Sequence, residues 1–151
     1  MSEQIQMDFV ESTDIFLSIR PNFANLIASR EKTYEFRRYK PKEPIEKVWF
    51  YVTSPDSGLK YIAEVGEPVE YPTKIPEDGI GNADFNQGLK VSKFAFPILH
   101  LDELVEAIPL RTLKDRFSFN PPQGYIYTDT FPELIKYVKN CEMRRLYWDE
   151  W

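Results

Sequence analysis

Between residues 30 and 42 the chain carries Arg30, Lys32, Arg37, Arg38, Lys40 and Lys42 against Glu31 and Glu35. Six cations and two anions give this stretch a charge of +4, in a protein of 151 residues whose formal net charge is −5. Cations gathered in this way either form a solvated basic loop or surround an anion. In Thr33-Tyr34-Glu35-Phe36-Arg37, polar and aromatic residues alternate, which is the period of a strand. Thr33, Glu35 and Arg37 then share an outward face, while Tyr34 and Phe36 turn toward the core. Lys32 stands at the mouth of the strand. One reading of the charged face is a surface ion network, worth little to stability. The other is a site in which Lys32 and Arg37 meet an anion and Glu35 accepts hydrogen bonds from the rest of the same ligand.

A second element begins just before this stretch. Pro21 suits the first turn of a helix, and Phe23, Leu26 and Ile27 follow at helical spacing, so the pattern predicts a short amphipathic helix to about Glu31. Its first amides, near Asn22 and Phe23, have no intrahelical acceptor and carry the positive end of the helix dipole. Arg20 stands beside them, and a phosphate or carboxylate suits that position.

The remaining elements must hold these two in place. Phe16 to Ile19 reads as a strand feeding the helix, and Lys47 to Thr53 as a strongly β-prone strand ending in the turn Ser54 to Gly58. Leu59 to Tyr71 reads as a strand bent near Gly66 and Pro68. Residues 72 to 88 form a long excursion with one helical turn. Lys90 to Leu99 is a strand, Leu101 to Ile108 and Leu110 to Phe117 are helical, and Gly124 to Thr128 is a last strand. Thr130 and Glu133 form a capping box for a closing helix with Leu134, Ile135, Val138 and Cys141 as its buried stripe. Regular strand–helix alternation is missing, so the expectation is an α+β fold, a small mixed barrel with an early short helix and a C-terminal helix. Residues 1 to 12 are expected to be loosely held. Residues 13 to 151 are expected to form one domain with a C-terminal helical extension.

Ser18-Ile19-Arg20-Pro21, Leu26-Ile27 and Lys32-Thr33-Tyr34-Glu35-Phe36-Arg37 together resemble the opening block of the ASCH domain family, within the PUA-like superfamily. Tyr51-Val52-Thr53-Ser54-Pro55 is similar to the family's second-strand segment, and Pro121-Pro122-Gln123-Gly124-Tyr125 to the segment before its closing strand. The resemblance spans roughly residues 14 to 128. It implies a small PUA-like barrel that binds RNA, single-stranded by expectation, or a nucleotide. The binding cleft would lie between first helix and barrel, lined by Ser18, Arg20, Pro21, Lys32, Thr33, Glu35 and Arg37. Tyr51 is a candidate stacking face and Ser54 a candidate donor, although a turn cap is the commoner role for such a serine. Where the family carries a glycine that caps the first helix, this chain has Arg30.

A few bacterial members of the family remove the acetyl group from acetylated cytidine, using a Lys, a Thr three residues later and a distant Glu. Lys32 matches the lysine and would be the catalytic residue of an amidohydrolase. Glu35 occupies the threonine position, and Glu77, Asp78 and Asp84 fall in the region of the acid without singling one out. A carboxylate beside Lys32 favours the ammonium and so works against a general base. A third possibility is a protein partner docked on the aromatic segment Arg144 to Trp151, which can equally fold back on its own barrel.

Composition closes off other classes. One His and one Cys do not supply the four ligands of a structural zinc site, no cofactor is implied, and the net charge opposes a general duplex-DNA binder. No apolar run is long enough for a membrane span. Met1 to Ile5 lacks the regions of a signal peptide and Cys141 has no disulfide partner, so an intracellular location is expected, cytoplasm or nucleus. Gly79-Ile80-Gly81 is not a dinucleotide fingerprint, and His100 and Cys141 read as structural.

Overall fold

A computed structural model describes residues 13–148, so the expectation for residues 1 to 12 lies outside the described residues. β1 (Thr13–Ile19) runs parallel to β3 (Ile45–Val52), and the other pairings are antiparallel. The sheet order is β2 (Tyr34–Arg37), β6 (Phe94–Pro109), β4 (Gly58–Val65), β3, β1 and β7 (Tyr125–Tyr127). β5 (Val69–Glu70) and β8 (Met143–Trp148) also pair with β6. The whole is a curled mixed sheet forming a half-barrel, an α+β fold.

Both faces of the central strands are covered, which is why β3 reads Val-Trp-Phe-Tyr-Val and is buried throughout that run. On one face Leu17, Ile19, Phe50, Val52 and Phe96 pack with Ala24 and Ile27 of α1 (Pro21–Ala28). On the other, Phe16, Trp49, Tyr51 and Leu59 pack with Leu113 of α3 (Leu110–Phe117) and with Leu134 and Val138 of α4 (Pro132–Lys139). A third, smaller cluster joins Ile75, Phe85 and Ala95 under the excursion, where α2 (Asn82–Asn86) is the expected helical turn.

Three expectations change. Leu101 to Ile108 is not helical but the second half of β6. Its buried residues Leu101, Leu104 and Ile108 mimic helical spacing because β6 bulges, advancing from Ile108 to Glu103 while β4 advances only from Leu59 to Tyr61. α4 starts at Pro132 with Phe131 as its cap and no side-chain cap, so Thr130 and Glu133 form no capping box. Proline at the first helical position shifts the start past Thr130, which closes a short 3-10 turn instead. Among the described residues the chain after α4 is not helical: β8 pairs with β6 and places Arg144 on Glu103 and Arg145 on Asp102. The described part of the C-terminal aromatic segment therefore folds back on the barrel. No helix among the described residues is long and apolar enough to cross a membrane.

β8 also finishes the first helix. α1 has eight residues, too few to persist without tertiary support. The amides of Arg30 and Lys32 return to the carbonyls of Ile27 and Leu26 at 3.1 and 3.0 Å, and the Tyr147 hydroxyl donates to the Ile27 carbonyl at 2.8 Å. Arg30 sits in the left-handed region, φ 68°, the conformation a capping glycine would take at no steric cost. Its guanidinium lies 4.4 Å from the centre of the Tyr147 ring. Arg30→Gly and Arg30→Ala lose that side chain equally, but only glycine relieves the backbone. The glycine variant should be more stable than the alanine variant by about 1 kcal/mol in urea unfolding.

Candidate functional site

β2 supplies two of the expected residues, Glu35 and Arg37, which share a face as anticipated; Lys32 and Thr33 precede the strand, and Thr33 turns instead to the excursion. The Tyr34 and Phe36 face is covered by the excursion rather than by the main core. Lys32, Glu35 and Arg37 gather into one ionic group, in which Lys32 is 6% and Glu35 7% exposed. The outward surface network expected from the sequence is therefore a buried one. Alternation reveals which residues share a face, but not which face the distant excursion will cover.

Glu35 is the centre of the network. Its Oε2 accepts from Arg37 Nε at 2.8 Å, with Arg37 Nη2 also at 2.8 Å, and its Oε1 lies 3.5 Å from Lys32 Nζ. Lys32 Nζ donates to the Tyr34 carbonyl at 2.6 Å and lies 4.6 Å from the Phe36 ring centre. Burial pushes the Lys32 pKa down, Glu35 opposes that shift, and Lys90 and Arg37 add to it. Lys90, which spacing did not single out, stands 4.6 Å from the same Phe36 ring. It comes from the far end of the excursion, where no local pattern could have pointed to it.

The first helix converges on this network. Arg37 Nη2 donates to the Ser18 carbonyl at 2.9 Å, immediately before the turn into α1. The Phe23 ring, in the first turn of α1, is 5.8 Å from Lys32 Nζ. Ser18 thus meets Arg37 through its backbone, while its hydroxyl donates to the Pro122 carbonyl at 2.7 Å. Arg20 is exposed at the helix start, ahead of Pro21. Thr33 is turned to the excursion: its hydroxyl donates to Asp78 Oδ1 at 3.1 Å and accepts from Asn82 at 3.2 Å. Glu77 accepts from Asn86 instead, so Asp78 is the acid the fold brings to Thr33.

Tyr51 and Ser54 stand apart. Tyr51 is 3% exposed on the opposite face of the sheet, 6.4 Å from the Phe119 ring centre, and presents no face for stacking. Trp49 is likewise core, with its indole N–H on Asp14. Ser54 is exposed in the turn after β3, where the amides of Asp56 and Ser57 return to the Thr53 carbonyl.

Beside Glu35 and Arg37 the enclosed space is about 10 Å³, room for one water at most. Larger grooves lie at either end of β2. One of about 380 Å³ is lined by Arg30, Lys32, Thr33, Tyr34, Asp78 and Tyr147 among others. One of about 390 Å³ is lined by Lys40, Lys42 and Phe96 among others. The buried network is thus a charged wall between two openings.

With this geometry in place, the comparisons with known proteins agree on the fold. The crystal structure of ASCH from Zymomonas mobilis matches with a TM-score of 0.63 and 25% identity, over 85% of this chain and 96% of that one. A serine-to-alanine variant of that protein matches with a TM-score of 0.66 and 24% identity, over 85% of this chain and 96% of that one. A tyrosine-to-phenylalanine variant matches with a TM-score of 0.66 and 23% identity, over 85% and 99%. No family model and no curated protein matches the sequence. The architecture is that of an ASCH domain, as the block from Ser18 to Arg37 led one to expect.

The network makes a stability prediction. Glu35→Gln leaves Lys32 and Arg37 facing one another without the carboxylate, and removing one member of a buried ionic group costs about 3 kcal/mol or more. Urea unfolding should show that loss, whereas Ser54→Ala should change stability by less than about 0.5 kcal/mol.

Proposed function

We propose that this domain binds a nucleotide or a segment of single-stranded RNA at the Lys32–Glu35–Arg37 wall, where the wall meets the start of α1. The observation that carries the reading is a net positive charge held out of water. Two cations share one carboxylate at Glu35, and keeping such groups desolvated costs several kcal/mol per ion unless the geometry offsets it. Groups perturbed in this way concentrate where ligands are handled. Arg37 is 20% exposed and directed by Glu35 and Ser18, so a phosphate at its outer edge would meet an already oriented guanidinium. Arg20 and the first amides of α1 favour the same charge sign. Phe23, exposed beside Lys32, offers a ring for a base.

Removing Lys32 leaves Glu35 paired with Arg37, and removing Arg37 leaves it paired with Lys32, so each single variant keeps the carboxylate neutralised. Lys32→Ala and Arg37→Ala should each weaken nucleotide or RNA binding by about 1–3 kcal/mol, with unchanged far-UV circular dichroism. Fluorescence anisotropy provides the measurement. Wild-type affinity in the folded double variant would remove the proposal.

A second reading is favoured by one specific observation: Lys32, Thr33 and Asp78 line a single groove, and burial lowers the Lys32 pKa. A desolvated amine beside a threonine hydrogen-bonded to a carboxylate suits an amidohydrolase acting on acylated nucleosides such as N4-acetylcytidine. The sign is defined. A base must be deprotonated, so turnover should rise with pH through the lowered Lys32 pKa. Because Glu35 raises that pKa, Glu35→Gln should move the rising limb to lower pH. A chromatographic assay of deacetylated product across pH checks both, and no product at high enzyme concentration would end this reading.

A further inference from the structure

Beyond β2 the chain continues Arg38-Tyr39-Lys40-Pro41-Lys42, and here the structure leaves an aromatic ring in the open. Tyr39 is 43% exposed and belongs to none of the buried clusters. Phe23 and Tyr39 are both exposed aromatic residues. They flank the charged wall on different sides, Phe23 next to Lys32 and Tyr39 two residues past Arg37. One side of Tyr39 is braced: its ring centre lies 6.0 Å from Tyr125, which lies 5.4 Å from Tyr127. A Cβ added at Gly124 would come 2.8 Å from the Tyr39 hydroxyl, so a residue without a side chain stands where this ring needs room. Pro41 is buried and anchors the segment, while Arg38, Lys40 and Lys42, its neighbours in sequence, are exposed, with Lys40 Nζ 5.9 Å from the Phe94 ring centre.

This arrangement lacks a structural purpose that burial would explain, and it combines the two parts of a single-strand platform. Aromatic faces accept bases of any identity, and interleaved cations accept the phosphates between them. Resting on the nucleotide-binding reading above, we propose that Tyr39 with Arg38, Lys40 and Lys42 extends the site into a strip for single-stranded nucleic acid longer than one nucleotide. The strip runs from Arg37 over Tyr39 into the groove of about 390 Å³ that Lys40, Lys42 and Phe96 line. Glu43 and Glu67 lie on the same groove and mark where the positive surface ends. The strip is tied to the wall through bonds already made, since Arg37 holds the Ser18 carbonyl and the Ser18 hydroxyl holds Pro122, two residues before Gly124.

The test compares probe lengths on the intact chain. Labelled oligouridylate and oligothymidylate of about ten nucleotides, within the usual site size for such strips, are measured beside labelled uridine monophosphate by fluorescence anisotropy. Tyr39→Ala should weaken oligonucleotide binding about tenfold and leave the mononucleotide unchanged, with Tyr39→Phe close to wild type. Lys40→Gln with Lys42→Gln should lower the slope of log affinity against log salt by about 1.4, two single-strand phosphate contacts' worth. Comparable loss for the two oligomers fits any single strand, and loss confined to oligouridylate restricts the strip to RNA. Oligonucleotide affinity unchanged in both variants overturns the strip while leaving the pocket reading intact. Equal losses for mononucleotide and oligonucleotide also overturn it, placing Tyr39 in the pocket itself. Wild-type protein that binds neither probe removes the pocket reading, and the strip with it.

Discussion

A carboxylate taken almost wholly out of water needs cations and donors in place of its lost hydration. Glu35 meets that requirement with Arg37 from its own strand and Lys32 from three residues earlier in the chain. The consequences spread outward. Arg37, oriented by Glu35, reaches across to the Ser18 carbonyl and so ties the short strand β2 to the end of β1. β2 has four residues and pairs with β6 along one side, which alone would hold it weakly. The charge network supplies the second attachment and places the entrance of α1 against the mouth of β2. The proposed ligand site depends on that juxtaposition.

The opposite end of α1 is secured by a different chemistry. Tyr147 of β8 caps the Ile27 carbonyl and receives the Arg30 guanidinium on its ring. One aromatic residue near the C-terminus therefore settles where a helix near the N-terminus stops, and with it the direction in which Lys32 leaves that helix. The strain of a left-handed arginine, of order 1 kcal/mol, is tolerated because the side chain it carries has a ring to rest on.

Sequence patterns revealed those parts of the fold that depend on neighbours a few residues away. Pro21 and the Phe23, Leu26, Ile27 spacing made α1 visible, the Tyr34–Phe36 alternation made β2 visible, and the unbroken apolar run made β3 visible. The order of the charged residues on one face of β2 was legible for the same reason. What stayed hidden depends on contacts far along the chain. β6 looked helical where its bulge spaces Leu101, Leu104 and Ile108 by three and four residues. β8 looked like a tail because its partner strand lies about forty residues upstream. The burial of Glu35, the approach of Lys90 and the pairing of Thr33 with Asp78 follow from where the excursion lands, and no local period encodes that. Tyr51 shows the limit clearly: alternation says that it opposes Phe50, but only the helices packed beneath the sheet decide that its side is closed.

Charge placement gives the last step. A domain with a net charge of −5 repels polyanions on average, yet its positive residues between 30 and 42 are not scattered. Lys32 and Arg37 are oriented inside a desolvated wall, where a charge interacts more strongly than in water. Arg38, Lys40 and Lys42 remain in solvent, where they attract at longer range but are screened by salt. On the proposed reading the two sets would act in sequence on an incoming anion, the exposed cations drawing it in and the oriented Lys32 and Arg37 setting its position. An acidic remainder would then disfavour polyanions that do not reach the wall, so that the same charges that give attraction would also give selectivity.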